Sequence, residues 1–134
     1  MVEMMAVYMG EKHCKITHGP SNAVIETDAP KDNHGLGQAF SPTDLMAASL
    51  GVCMLTVMGI QADLKGWNMV GAEARIVKEM ATNPRRIGKL TAHIEMPSHL
   101  NEEARNHLEK TASSCPVKYS LNPEIVLDIQ FKYV

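Results

Sequence analysis

The chain has 134 residues, of which 45% are hydrophobic and 21% charged, and its formal net charge is −2 at pH 7. This length suits one domain with its own core, and this composition is typical of a soluble globular protein. The small net charge, with Lys and Arg scattered along the chain, excludes the basic stripe of a nucleic-acid or membrane-surface binder.

The sequence predicts a cytoplasmic protein. Its N-terminus lacks the basic region and long apolar stretch of a secretory signal. The weakly polar run over residues 45–61 is interrupted by Ser49, Gly51 and Thr56 and falls short of the ~20 apolar residues of a spanning helix. In a reducing compartment the three cysteines are expected to be reactive, metal-binding or buried rather than a disulfide framework.

The first forty residues predict a β-hairpin followed by a loop. Residues 5–17 form an extended segment, residues 18–22 a turn and residues 23–27 a second strand. Residues 28–40, with one proline and two glycines, form the loop. Its polar side chains are interpreted as solvated: Asp28, Asp32 and His34.

A long helix is predicted from residue 42 to about Lys65. Ser41 can cap it, Pro42 suits its first position, and Asp44 can reach back as in a capping box. Gly66 can end it. Helical spacing predicts one apolar face, with a buried cysteine at its middle: Met46, Ser49, Leu50, Cys53, Thr56, Val57 and Ile60.

The remaining residues predict an α+β domain. Residues 67–80 and 87–96 alternate and form a hairpin through residues 81–86. A helix capped by Asn101 follows, then a short helix begun by Pro116, then a strand over residues 125–133. The order is β-β-α-β-β-α-α-β, a single domain over residues 1–134 with a mainly antiparallel sheet packed on a long central helix.

Two cysteines are candidates for redox chemistry, because a thiol pair that meets in the fold can cycle to a disulfide. A free thiol, with a pKa near ~8.5, is only about 3% thiolate at pH 7. Cys115, directly before Pro116, is predicted at a helix N-terminus, where free amides, the helix dipole and Lys118 favour a thiolate. Cys53 has no such local source, and burial disfavours its ionisation. Cys53 as an inert core thiol and Cys115 as a capping residue remain open alternatives.

Three other features have both a structural and a functional interpretation. Cys14 lies in a predicted strand and is expected to be a core thiol. Together with His13 and His18 it matches no strong zinc spacing, so no metal is predicted. Three methionines on the long helix could line an adaptable pocket, but core filling is favoured: Met46, Met54 and Met58.

Two motifs resemble those of the OsmC/Ohr family, the osmotically induced and organic-hydroperoxide-resistance proteins. Residues 41–53 read S-P-x-[DE]-L-x-A-A-x-x-x-x-C, and residues 115–121 read C-P-V-x-x-S-L. The resemblance implies an intertwined α+β homodimer with active sites at the subunit interface and no cofactor. It implies that Cys53 attacks a hydroperoxide, that Cys115 resolves the sulfenic acid as a disulfide, and that a dithiol, lipoyl-type in some members, reduces the disulfide.

The chain departs from the best-characterised branch, in which an arginine of the N-terminal hairpin activates the first cysteine and a glutamate orients that arginine. No arginine precedes Arg75. Lys12 and His13 are the nearest candidates, although a lysine lacks the bidentate fork of arginine. Asp44 lies one position after the family's glutamate and is either a supporting residue or only a cap. The chain therefore resembles the divergent OsmC-like branch.

The sequence and the resemblance are compatible with two functions. The first is a thiol-dependent peroxidase that reduces organic hydroperoxides in oxidative-stress defence, with Cys53 and Cys115 catalytic and Asp44, Lys12 and His13 supporting. The second is a non-catalytic dimer that binds small molecules or thiol conjugates, for which the missing arginine is the reason.

Overall fold

The computed structural model describes residues 1–134, which divide into two compact units, Met1–Met46 and Ala47–Val134. The N-terminal unit contains an antiparallel sheet in the order β1-β2-β3. Its strands are β1 (Met4–Gly10), β2 (His13–His18) and β3 (Val24–Asp28), and a 3-10 turn (Lys31–Asn33) follows. The single domain over residues 1–134 stays a prediction.

The extended segment predicted over residues 5–17 is wrong, because the chain reverses within it. Glu11 and Lys12 have φ angles of 52° and 61°, and Gly10 before them has φ of 91°. These three residues turn β1 back onto β2, so the unit has three strands where two were expected. The alternation on both sides of the turn concealed it, and Gly10 was the one local signal of a bend.

Asp28 is not a solvated loop residue. It ends β3 and is only 3% exposed, and one of its carboxylate oxygens accepts a hydrogen bond of 3.0 Å from the amide of Gln38. The following loop is fixed to the β1–β2 turn, because the amide of Ala29 donates to the carbonyl of Lys12. Asp32 and His34 are exposed, as expected.

The long helix α1 (Pro42–Lys65) begins and ends where the sequence predicts. The amide of Ser41 donates to the Asp44 carboxylate at 2.9 Å, and the amide of Asp44 donates to the Ser41 hydroxyl at 3.0 Å. This reciprocal pair is the predicted capping box. Gly66 follows the helix with φ of 74°, the left-handed conformation of a C-terminal stop.

The C-terminal unit contains a second three-stranded sheet, in the order β4-β5-β6. The strands β4 (Glu73–Ala81) and β5 (Arg86–Met96) pair antiparallel, and β6 (Val126–Tyr133) pairs parallel to β5. Two helices, α2 (Glu102–Ala112) and α3 (Pro116–Ser120), lie in the connection from β5 to β6. The predicted Asn101 cap is confirmed, since its side chain accepts from the amide of Ala104 at 2.9 Å. The α+β class and the mainly antiparallel pairing are confirmed.

The buried face of α1 differs from the predicted one. Met46 and Ile60 are 48% and 54% exposed, and Cys53 is half-buried at the margin of the core. The helix is apolar almost all the way round, so spacing alone could not select its inward face. Met54 and Met58 are fully buried, which confirms core filling for these two. The residues that are buried form a different stripe: Ala47, Leu50, Gly51, Met54, Met58 and Ala62.

By length and composition α1 could cross a membrane, with a mean hydropathy of 1.8 over its most apolar window. This test is also met by the central helix of a folded core. Here Leu50, Met54 and Met58 are fully buried in one cluster with Leu90 of β5 and Leu108 of α2. These contacts support a core helix.

Gly51 allows α1 to approach the second sheet closely. A Cβ at this position would lie 2.7 Å from Ile76 Cδ1 and 2.8 Å from Ile76 Cγ1, whereas a Cβ at Gly59 of the same helix would meet nothing within 4 Å. A side chain at position 51 therefore forces either Ile76 or the backbone of α1 to move.

We expect Gly51→Ala to destabilise the protein by about 1–2 kcal/mol, because overpacking costs ~1–3 kcal/mol and improved helix propensity offsets up to ~1 kcal/mol of it. Gly59→Ala, the matched control, should raise the free energy of unfolding by up to ~1 kcal/mol, because alanine has the higher helix propensity. Urea unfolding of both variants measures the difference. Equal shifts in the two free energies of unfolding would show that close packing at Gly51 is not required.

Candidate active site

Cys115 occupies the N-cap of α3. Its backbone is extended (φ −63°, ψ 126°), and Pro116 follows at the first helical position. Its own amide donates to the carbonyl of Ala112 at 3.3 Å, which holds it against the end of α2. The side chain is fully buried. The sequence thus places the thiol at the predicted helix start, but inside the core.

Cys53 lies in the middle of α1, next to the Cys115 side chain. The two are close enough that the Cys53 side chain is among the groups that raise the pKa of the Cys115 thiol. Both cysteines are reduced, and they differ in access, because Cys53 is half-buried and Cys115 is buried. The structure therefore brings together two residues whose contact the sequence alone could not establish.

The environment of Cys115 favours its protonated form. Burial raises the pKa of the Cys115 thiol, and the neighbouring Cys53 side chain raises the pKa further. The backbone amides of Lys118 and Val117 face the sulfur and lower the pKa, without closing a capping hydrogen bond. The net shift is upward, so the expected activation of Cys115 by the helix N-terminus is wrong: desolvation outweighs the amides of a five-residue helix.

Lys118 does not supply the positive charge expected of it at Cys115. Its ammonium donates to the carbonyl of Ser113 at 3.3 Å. The groups that shift the pKa of Cys115 are Cys53 and backbone amides, with no cation among them. The pair is otherwise bordered by apolar atoms, since Cys115 belongs to the core cluster and Val117 and Leu121 pack against it.

The three predicted supporting residues lie in the N-terminal unit, whereas both site cysteines lie in the C-terminal unit. The Asp44 carboxylate closes the α1 capping box. Lys12 is exposed in the β1–β2 turn, and the Nε2 atom of half-buried His13 lies 3.7 Å from Glu26 Oε1. Support of a thiolate by these residues stays a prediction.

The third cysteine stands apart from this pair. Cys14 is half-buried in β2, where Tyr8 and Thr27 are its neighbours on the adjoining strands. It is therefore less buried than the expected core thiol. No group of three or more His, Cys, Asp or Glu side chains is arranged to hold a metal ion.

The raised pKa of Cys115 predicts a loss of stability in alkaline solution. The folded protein holds this proton more tightly than the unfolded chain, so stabilisation is complete below ~pH 8.5 and declines as the pH rises through the folded pKa. In urea unfolding at several pH values, Cys115→Ala should show a shallower decline than the native chain. Cys14→Ala should keep the native slope. A steep decline in Cys115→Ala would mean that another group is responsible.

Comparisons with known proteins agree with this architecture. The family model described as OsmC-like protein matches residues 35–130. A crystal structure of a candidate osmotic stress induced and detoxification response protein from Psychrobacter arcticus 273-4 is 38% identical, with a TM-score of 0.93 over 98% of this chain and 96% of that one. No match was found among curated proteins.

More distant structures share the fold. An OsmC-like protein from Mycoplasma pneumoniae is 17% identical, with a TM-score of 0.82 over 100% of this chain and 97% of that one. The organic hydroperoxide resistance protein OhrB of Bacillus subtilis is 17% identical, with a TM-score of 0.71 over 98% of each chain. The family-model match over residues 35–130 and the 38% identity to the Psychrobacter arcticus protein show that the chain belongs to the OsmC-like protein family.

Proposed function

We propose that the protein is a thiol-dependent peroxidase that reduces organic hydroperoxides through Cys53 and Cys115. The observation that carries the proposal is that Cys53 and Cys115 are neighbours of unequal access, with Cys53 half-buried and Cys115 buried with a raised pKa. The more accessible sulfur is the one that a hydroperoxide reaches first, which leaves Cys115 to act second. Relatives described as organic hydroperoxide resistance proteins support the substrate class.

In the first step the Cys53 thiolate attacks the terminal oxygen of the hydroperoxide. The O–O bond breaks, Cys53 becomes a sulfenic acid, and the alkoxide takes up a proton and leaves as an alcohol. In the second step the Cys115 sulfur attacks the Cys53 sulfur. The S–S bond forms, and the hydroxyl of the sulfenic acid leaves as water with the Cys115 proton. The peroxide is reduced by two electrons and the thiol pair is oxidised by two.

A dithiol reductant, of the lipoyl type that the family resemblance implies, then reduces the disulfide. Disulfides are reduced by thiolate attack on an accessible sulfur. Cys53 is half-buried whereas Cys115 is fully buried, so the reductant attacks Cys53. Cys115 leaves as the first thiol and regains its proton. The second thiol of the reductant then attacks the mixed disulfide, its own disulfide forms, and Cys53 is released as the second thiol.

We also propose that two chains associate, in the cytoplasm and without a nucleic-acid or membrane partner. Soluble monomers rarely leave large contiguous apolar surface uncovered. Here β1 exposes apolar side chains along its length, and α1 exposes Val52, Ile60 and Leu64. A second copy covering these surfaces agrees with the homodimer implied by the family resemblance.

A second candidate function is a dimer that binds small molecules or thiol conjugates without turning over its cysteines. The specific observation in its favour is that the Lys118 ammonium is engaged by Ser113, so no cation of the C-terminal unit is assigned to the thiol pair. Under this function, saturable binding of an apolar thiol persists in Cys53→Ser, and hydroperoxide is not consumed.

The peroxidase is tested with one equivalent of cumene hydroperoxide, followed by intact mass and non-reducing peptide mapping. The native chain should lose two hydrogens within seconds and give a Cys53–Cys115 bridge. Cys53→Ser should abolish hydroperoxide consumption, because no attacking thiol remains. Cys115→Ser should stop at the Cys53 sulfenic acid, which a dimedone adduct detects.

Cys14→Ser is the matched control and should react as the native chain does. Unchanged consumption in Cys53→Ser would contradict the peroxidase. If the native chain keeps all three thiols reduced and still binds thiol ligands, the binding function is correct.

Asp44→Asn tests the predicted support of the thiolate separately from the helix cap. An Asn carbonyl can still accept from the amide of Ser41, so stability should fall by no more than ~1 kcal/mol for the lost charge at the helix start. We expect the peroxidase rate to fall about tenfold, which corresponds to ~1.4 kcal/mol of lost thiolate stabilisation. Glu102→Gln, in the first turn of α2, controls for the charge. Equal rates in the two variants would make Asp44 a cap alone.

A further inference from the structure

The N-terminal unit contains a cleft of about 360 Å³ that neither the family match nor the cysteine chemistry explains. It is bounded by the β1–β2 turn, the end of β3 and the loop that follows the 3-10 turn. The lining side chains that matter are Met9, Glu11, His13, Asp28, Leu36 and Gln38. All of them belong to one compact unit.

Asp28 is the buried group at this cleft. Its side chain is only 3% exposed, and one oxygen accepts the Gln38 amide at 3.0 Å. This is the one hydrogen bond of the carboxylate within the chain, and Asp28 lines the cleft. A carboxylate has about four acceptor positions, and burying it is unfavourable unless they are used. The site is therefore short of hydrogen-bond donors and positive charge.

The rest of the lining defines the group that fits. Glu11 adds a second carboxylate, and no Lys or Arg lines the cleft. His13 stands opposite Asp28 in the β2–β3 register, and its nearest ion-pair partner is Glu26, at 3.7 Å. Met9 and Leu36 add apolar surface and are 59% and 58% exposed. A metal ion does not fit, because three ligating side chains do not converge here.

We propose that this cleft binds the ammonium or guanidinium head of a small organic cation, with a short alkyl chain lying on Met9 and Leu36. Asp28 accepts the head group and Glu11 adds attraction. The cation has two sources of the same chemistry, a free amine or guanidine and a Lys or Arg side chain of a second copy of the chain. Neither source requires the cysteines, so this binding is independent of peroxide reduction.

The test uses the full chain at pH 7.5 and titrates agmatine and n-butylamine, with 1-butanol as the neutral control, by calorimetry and NMR. Both cations should bind saturably, and 1-butanol should bind at least about tenfold more weakly, the change expected for loss of one ion pair of ~1.4 kcal/mol. Asp28→Asn should weaken cation binding by about tenfold for the same reason. Glu124→Gln, in the loop before β6 and outside the cleft, should keep the native affinity.

Glu11→Gln, in the exposed turn, should weaken binding severalfold and serves if Asp28→Asn does not fold. If no free cation binds, sedimentation distinguishes the second source: Asp28→Asn or Glu11→Gln should then weaken self-association, and Glu124→Gln should not. The proposal is overturned if 1-butanol binds as well as n-butylamine. It is also overturned if neither cation binds and self-association is the same in all variants.

Discussion

The candidate site depends on the burial of the Cys115 thiol against Cys53. The two sulfurs are neighbours, the pKa of the buried Cys115 thiol is raised, and Cys53 lies at the margin of the core. Cys53 is carried by α1, which lies close to the second sheet because Gly51 has no side chain. The site also requires α2 to end where the chain can turn into α3, with Cys115 held to the carbonyl of Ala112.

Local signals in the sequence were sufficient for most of the element boundaries. The capping box at Ser41 and Asp44 and the Asn101 cap involve atoms three residues apart, so their chemistry can be read along the chain. The face that α1 buries could not be read in this way. The buried face depends on which side of α1 packs against β4 and β5, and a helix that is apolar on most sides has several faces that could pack there.

The sequence could single out the two cysteines of the candidate site, but not their burial or their proximity. Two motifs identified Cys53 and Cys115, yet nothing in residues 41–53 or 115–121 indicates that the thiols touch. The burial of Asp28 was missed for a related reason. An aspartate beside a Pro- and Gly-containing loop is typically solvated, and only the return of the loop to β3, through the Gln38 amide, encloses it.

The pKa of the Cys115 thiol is raised although the thiol lies at a helix N-terminus. Two backbone amides at the start of α3 lower this pKa. Removal of the sulfur from water and the neighbouring Cys53 side chain raise it by more, so the net shift is upward. A thiol so placed is a poor first nucleophile and a good hydrogen-bond donor. The same desolvation that raises the pKa of Cys115 strengthens any hydrogen bond that its thiol makes, compared with the same bond in water. The asymmetry of the pair therefore follows from burial, before any cation is considered.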